Sequence, residues 1–282
     1  MKQLVLIACM TCALFSGAAH AQQLNVATYN IRYDNRGDSL DPWSIRKDLV
    51  TNMIRFYDFD VFGVQEALAN QMDDLQNNLQ EYAYVGNGRD DGKREGEYSA
   101  IFYKKDRFKL LQHGMFWLSP TDTEHPNKGW DAALPRICTW ASFEDKKTRF
   151  KFYHFNTHFD HRGVEARKES AKLILAKIKS IAGNAPVILS GDLNVDQDNE
   201  SYKEIATSGS MKDAYETAKI KLGDNQTFNG FRPMLGKRNA RIDHIFLTPA
   251  FDVQRYGILT NSSLGHYPSD HFPVVVTVEV KK

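Results

Sequence analysis

Along most of the chain, apolar residues alternate with polar ones in short runs that end at Gly, Pro, Asn or Asp. That period of two predicts strands at Leu24 to Tyr29, Asp60 to Gln65, Tyr98 to Tyr103, Arg107 to Leu118, Arg136 to Phe143 and Arg149 to Thr157. Later strands are predicted at Val187 to Leu189, Arg241 to Leu247 and Pro273 to Val280. Spacings of three and four predict helices between them. One opens at Asp41-Pro42, with Asp41 as cap and Ile45, Leu49, Met53 and Ile54 as its apolar face. A second carries Leu68, Met72, Leu75 and Leu79. The longest, Val164 to Ile181, turns Leu173, Ile174, Ile178 and Ile181 inward, and a short helix follows at Ser201 to Ala206. Strands interrupted by helices in both halves predict an α/β fold of two mixed β-sheets packed face to face, flanked by helices. No repeat or long Pro/Ser linker divides the chain, so one domain is expected over residues 22–282.

The N-terminus breaks the pattern. Lys2, an apolar stretch from Leu4 to Phe15 and the small-residue sequence Ala19-His20-Ala21 have the layout of a secretory signal peptide spanning residues 1–21. This predicts an exported protein, periplasmic or secreted, cleaved after Ala21. The stretch is too short for an ordinary membrane span, and no later segment is apolar for long enough. Cys9 and Cys12 fall inside the leader, which leaves Cys138 alone in the mature chain. With no disulfide, the core must hold the fold, with or without a metal. Cys138 lies in a strand-like run with nothing nearby to activate it, so it reads as a buried, inert thiol.

Charge narrows the partners. The chain has 36 Lys plus Arg and 35 Asp plus Glu. Lys2 is the only charged residue of the leader, so the mature chain carries 35 of each sign. Such a balance gives no sign of a dedicated nucleic-acid coat. Gly86 to Glu97, with Arg89, Lys93 and Arg94, reads first as a solvated loop, and alternatively as a phosphate contact. Trp43, Trp130, Trp140 and Phe231 read as core before they read as stacking platforms.

Candidate chemistry gathers where strands run out. Val187-Ile188-Leu189 leads into Ser190-Gly191-Asp192-Leu193-Asn194, where Asp192 and Asn194 would leave one face of extended chain. Asn30, Glu66, His158 and Asp270-His271 also follow apolar runs, and Asp243 opens one. Each alone has an ordinary reading as a turn residue, a helix cap or a buried sheet histidine. Together they supply acids, amides and imidazoles without a Ser or Cys nucleophile arrangement. If Glu66, Asp192, Asp243 and Asp270 converge, like charges about 4 Å apart repel by ~4 kcal/mol at an effective dielectric of about 20. Such a cluster calls for a cation, a shared proton or both. Oxygen donors without thiolate favour Mg2+ or Mn2+, the usual companions of phosphate groups. The residues therefore point to metal-assisted phosphoester hydrolysis.

The ordered set Tyr29-Asn30, Gln65-Glu66, Asn156-Thr157-His158, Gly191-Asp192-Leu193-Asn194, Ile242-Asp243-His244 and Ser269-Asp270-His271 resembles the endonuclease/exonuclease/phosphatase superfamily. The resemblance spans nearly all of the mature chain and implies a four-layer α/β sandwich. It implies a metal site of Glu66 with Asn30 and Asp270, holding one or two ions. Asp192 would orient or deprotonate the attacking water. Asn194 would hold a phosphate oxygen. His158 would touch the phosphate or assist the leaving oxygen. His271 would bind the phosphate or act as base, and Asp243 or Asp270 would orient a histidine. His158 stands where abasic-site endonucleases carry a tyrosine, so the pattern is nearer to phosphatases, sphingomyelinases and deadenylases. His161, Arg162 and Arg167 follow as candidate substrate contacts, with Arg136 as a further phosphate-bracketing cation.

The expected activity is therefore an exported phosphoesterase on a mono- or diester, with a small or head-group substrate favoured. A secreted nuclease on DNA or RNA is the main rival, and a non-catalytic phosphate-ligand binding protein on the same scaffold is another. Oligomeric state is not legible in the sequence.

Overall fold

The computed structural model describes residues 23–38, 40–232 and 239–281. The expected signal peptide lies outside the described residues. The chain runs β1 (Gln23–Asn30), α1 (Trp43–Phe56), β2 (Val61–Ala67), α2 (Ala69–Asn78), β3 (Tyr82–Val85), β4 (Tyr98–Lys104), β5 (Phe108–Trp117), β6 (Ile137–Asp145) and β7 (Lys151–His158). It continues through α3 (Val164–Ala182), β8 (Val187–Asp192), α4 (Glu200–Ala206), β9 (Lys212–Asp213), α5 (Ala214–Thr217), β10 (Ile220–Leu222), β11 (Asp243–Leu247), β12 (Phe251–Ile258) and β13 (Val274–Val280).

Two mixed sheets result. One has the order β10-β12-β13-β1-β2-β4-β3, the other β5-β6-β7-β8-β11-β9. Alternation within each strand explains the layers. On β1, Leu24 and Val26 join the inter-sheet core with Ile188, Ile245 and Val276. The opposite face, Ala27 and Tyr29, packs with Met53, Ile54, Met72 and Leu75 of α1 and α2. Beyond the second sheet, Leu189 and Phe246 pack on Ile174 and Ile178 of α3 and Tyr202 and Ile205 of α4. The architecture is the expected four-layer α/β sandwich.

Each sheet contains one parallel pair joined through a helix: β1 to β2 across α1, and β7 to β8 across α3. Parallel strands place their C-terminal ends together, and open α/β sheets bind ligands outside such ends. The four ends are Asn30, Gln65 to Ala67, His158 and Asp192. Gly63 lets the sheets meet near this edge: a Cβ there would lie 2.1 Å from Oδ1 of Asn156. Asn156 uses its amide nitrogen on the carbonyls of Val64 (3.0 Å) and Ala100 (2.9 Å), tying the second sheet to the first.

Two local expectations are corrected. Asp41 does not cap α1; Pro42 takes that position without a side-chain hydrogen bond, and Asp41 pairs with His266 at 2.9 Å. The buried face of α1 is Trp43, Arg46, Val50, Thr51, Met53 and Ile54, while Ile45 is 48% exposed. The helix is rotated because its core-facing stripe includes Arg46, a charge that an apolar pattern cannot reveal. Strands β3, β9, β10 and β12 were not foreseen. The first three are only two to four residues long, the apolar residues of β12 are interleaved with Asp252, Gln254 and Arg255, and pairing with neighbouring strands decides them.

Candidate active site

At the shared strand ends, the amide of Asn30 stands between two carboxylates. Its Nδ2 donates to Oε1 of Glu66 and to Oδ2 of Asp192, both at 2.9 Å, and lies 3.5 Å from Nε2 of His271. Asn30 can reach Asp192, on the other sheet, because its side chain leaves the inter-sheet face of β1.

Glu66 reaches the cluster by a different route. Strict alternation would send it with Phe62 and Val64 into the helical layer. Instead β2 and β4 slip register between Gln65 and Ala67, and Glu66 adopts φ 66°. A bulge with a left-handed non-glycine residue re-aims a side chain at a cost in backbone strain, and such residues concentrate at functional sites. The backbone N–H of Tyr33 donates to Glu66 Oε2 at 3.2 Å and fixes the carboxylate. Asn194 is also left-handed, at φ 52°. Its backbone N–H donates to Asp192 Oδ1 at 2.8 Å. Its amide nitrogen donates to His158 Nε2 and to the Phe159 carbonyl, both at 3.0 Å, so in this arrangement Asn194 holds His158.

The two histidines differ. Asp243 opens β11 opposite Asp192, and its Oδ2 lies 2.9 Å from Nδ1 of His271. Nε2 of His271 lies 3.8 Å from Asp192. Burial works against a charged His271, but Asp243 and then Asp192 raise its pKa well above the usual imidazole value. His158 sits 3.6 Å from Asp192 through Nε2 and 3.7 Å from Glu97 through Nδ1. Burial, with Arg136 and Arg89 nearby, lowers its pKa well below the usual value. The carboxylates thus favour the charged form of His271, and burial favours the neutral form of His158. Asp192 is pushed up to about 7 by burial first and by Asp243 second. Asp270 is raised by burial, against the pull of His271, and its Oδ2 lies 3.8 Å from Arg32.

These groups fit a divalent cation. Glu66, Asp192 and His271 each offer a ligand atom within 4.8 Å of the others, and the carboxylates converge on a polar pocket floor. Buried like charges need a counter-charge, and oxygen donors suit a hard ion.

The cleft has a volume of about 600 Å³ and is lined by Glu66, His158, Asp192, Asn194, Asp270 and His271. Asn30 and Asp243 support it from beneath. Arg136 and His161 line it as expected. Arg167 does not; its Nη1 donates to the Asp160 carbonyl at 2.9 Å, steadying the turn after β7. Among the alternative phosphate contacts, Arg94 pairs with Asp73 on the surface and Arg89 is buried against Glu97. Five cleft residues were missed by sequence reasoning: Arg32, Tyr33, Glu97, Leu134 and Phe228. Arg32 and Tyr33 come two and three positions after Asn30, and Glu97 directly precedes β4, which is the only signal they carried. Phe228, 43% exposed, meets His271 edge-on at 5.1 Å. Phe231 and Trp43 lie instead against the Arg46 guanidinium, and Trp140 packs beside Phe155.

The model of the Endonuclease/Exonuclease/phosphatase family matches residues 27–271. Among solved structures, a protein of that family from Bacteroides thetaiotaomicron is 45% identical, with TM-score 0.89, over 93% of this chain and 99% of that one. A mannosyl-6-phosphatase from the same organism is 46% identical, with TM-score 0.86, over 90% of this chain and 99% of that one. Tyrosyl-DNA phosphodiesterase 2 of Bos taurus is 25% identical over 243 residues, 82% of this chain and 62% of that protein. Fold, ordered site residues and these likenesses agree: the chain belongs to the endonuclease/exonuclease/phosphatase family, whose members are phosphoester hydrolases and are generally dependent on a divalent metal.

Proposed function

We propose that the chain is an exported, Mg2+- or Mn2+-dependent hydrolase of small phosphoesters, foremost sugar phosphate monoesters. The observation that carries this reading is the junction of Asn30, Glu66 and Asp192, two carboxylates bridged by one amide, beside His271 held by Asp243. A cation held by Glu66 and Asp192, with Asn30 and Asp270 near them, would supply electrostatic stabilisation to the phosphate in the transition state. Asp192, buried yet beside the cleft, orients the attacking water and takes its proton. His271, steadied by Asp243, donates from Nε2 to a phosphate oxygen. Asn194 keeps His158 turned towards the opposite side of the phosphate.

The small substrate follows from three supports. The cleft volume suits a compact ligand. The balanced charge is poor for tracking a duplex. The neighbour with 46% identity is a mannosyl-6-phosphatase. Export is supported by the layout of residues 1–21, and no helix among the described residues is long and apolar enough to cross a membrane.

The test is a panel of phosphate mono- and diesters with Mg2+, Mn2+ and chelator. Turnover of sugar monoesters that disappears in chelator is expected. Plasmid cleavage with a steep salt dependence, and no turnover of small esters, would make the chain a nuclease. Mass spectrometry of the protein from its natural host should find Gln22 first; an intact Met1 in the cytoplasm would overturn export.

A further inference from the structure

We propose that Glu97, Arg136 and His161 form the leaving-group subsite of the cleft, and that it selects a hydroxyl-rich, uncharged leaving group such as a hexose. The inference rests on the phosphomonoesterase reading above and names the part of the cleft that reads the alcohol.

Position comes first. The imidazole of His158 divides the cleft. Its Nε2 faces Asp192 at 3.6 Å and its Nδ1 faces Glu97 at 3.7 Å. Displacement at phosphorus is in line, so a water at Asp192 and the leaving oxygen lie on opposite sides of the phosphorus. Glu97 stands on the side of His158 away from Asp192, and Leu134, Arg136 and His161 line the same cleft, with Arg136 3.0 Å from His161.

The chemistry of these residues is built rather than incidental. Buried Arg89 grips Glu97 through two parallel bonds, of 2.7 and 2.9 Å. The Trp117 indole in turn donates to the Arg89 carbonyl at 2.8 Å. A carboxylate fixed in this way cannot swing to the metal ligands, and its remaining lone pairs accept from hydroxyls. Arg136, only 4% exposed, is held by Asp160 (3.3 Å) and lies 3.0 Å from Nδ1 of His161. Its Nη1 is buried without a hydrogen-bond partner. A buried donor is costly to leave unmade, and here it lines a cleft that a ligand can enter. An acceptor and a donor side by side match vicinal hydroxyls. The charges also balance, Arg89 against Glu97 and Arg136 against Asp160, which gives no advantage to a second phosphate. Among the described residues the aromatics lining the cleft are Phe228, which meets His271, and Tyr33, which lies against Arg32.

The experiment compares a hexose 6-phosphate, its deoxy analogues and n-butyl phosphate on the wild-type enzyme with Mg2+. The hexose ester should exceed the butyl ester by at least about a hundredfold in kcat/KM, because a site built to bond hydroxyls leaves its own groups unpaired with the analogue. At least one deoxy position should lose most of that preference. In Glu97→Gln and Arg136→Lys the preference should shrink to about tenfold or less, mainly through KM, while Mn2+ binding by calorimetry is retained. Hexose and butyl esters turned over equally by the wild type would overturn the subsite and leave the phosphomonoesterase reading standing. No turnover of any monoester would overturn both.

Discussion

Arg46 donates from Nη1 to the carbonyl of Pro268 at 3.0 Å, although the two residues are 222 positions apart. The same nitrogen donates to Ile31 at 2.7 Å, Nε to Asp41 at 2.7 Å and Nη2 to Arg32 at 3.2 Å. This fully buried guanidinium therefore ties α1 to the backbone just after Asn30 and just before Ser269-Asp270-His271. Asn30 and His271 come from opposite ends of the chain, and Arg46 ties their two segments together.

Arg46→Met should remove donors from four carbonyls at once. Buried groups left unpaired cost about 1–3 kcal/mol each, and partial rehydration limits the sum, so a loss of about 3 kcal/mol is expected in urea unfolding. At temperatures well below unfolding, kcat should fall more than KM rises. Arg46→Lys should recover only part of the loss, since one ammonium cannot span all three segments. A purely stability-related loss with unchanged kcat would remove the positioning role.

Asp192→Asn keeps the size of the side chain but not its charge or basicity. Turnover should drop by ~10²–10⁴, with KM little changed. Single-turnover kinetics on a sugar monoester checks this, and a wild-type rate would take Asp192 out of the reaction.

Adding Mn2+ to chelator-treated protein should raise its melting temperature. Binding at one hundred times Kd stabilises by about 2.7 kcal/mol. Glu66→Ala should abolish the response, because it removes the carboxylate that the β2 bulge delivers. A flat melting profile in the wild type would separate the cluster from metal binding.

Gly63→Ala should destabilise the fold by about 1–3 kcal/mol or more, as overpacking does. The new Cβ would meet Asn156 Oδ1 at 2.1 Å and Ser190 Oγ at 2.7 Å. In an Asn156→Ala background the same change should cost less, and a double-mutant cycle in urea measures the difference. Strict additivity would mean that the sheets relax apart at this point.

Asp160 sets an acid-side dependence of stability. Burial disfavours its charge, but the N–H groups of Gly163 (2.8 Å) and Arg162 (2.9 Å) and the Arg136 guanidinium outweigh it and hold the carboxyl well below its usual range. The unfolded chain then binds the proton more readily than the native one. The contribution is complete above the unfolded value near 4 and is lost as pH falls through the lower folded value. Asp160→Asn should lower stability at neutral pH and flatten the decline between about pH 5 and pH 2, read from urea midpoints.

Much of the site was legible because strands report their ends. An alternating run shows where the backbone is extended and which face is buried, so Asn30, His158 and Asp192 could be marked as polar groups at strand ends, whereas Asp270 and His271 were expected there and lie instead in the loop before β13. Their order along the chain resembles one family closely enough to suggest roles. The pattern could not show Glu66 turning out of its alternation, because the bulge exists only against β4. Nor could it separate Arg167, which holds a turn, from Glu97, which lines the cleft; both are charged residues beside a strand or helix.

The sequence by itself determined the alternation that builds two sheets, the helical crossovers and the identity of the groups at the strand ends. Tertiary structure decided which of those groups meet. Asn30 reaches Asp192 across 162 residues, and His271 reaches Asp243 across 28, because two twisted sheets stack in one register. That register is set by shape at Gly63 against Asn156, and by a buried cation at Arg46. Neither leaves a mark in hydrophobic periodicity, since periodicity records how much water a position loses and not which partner replaces it.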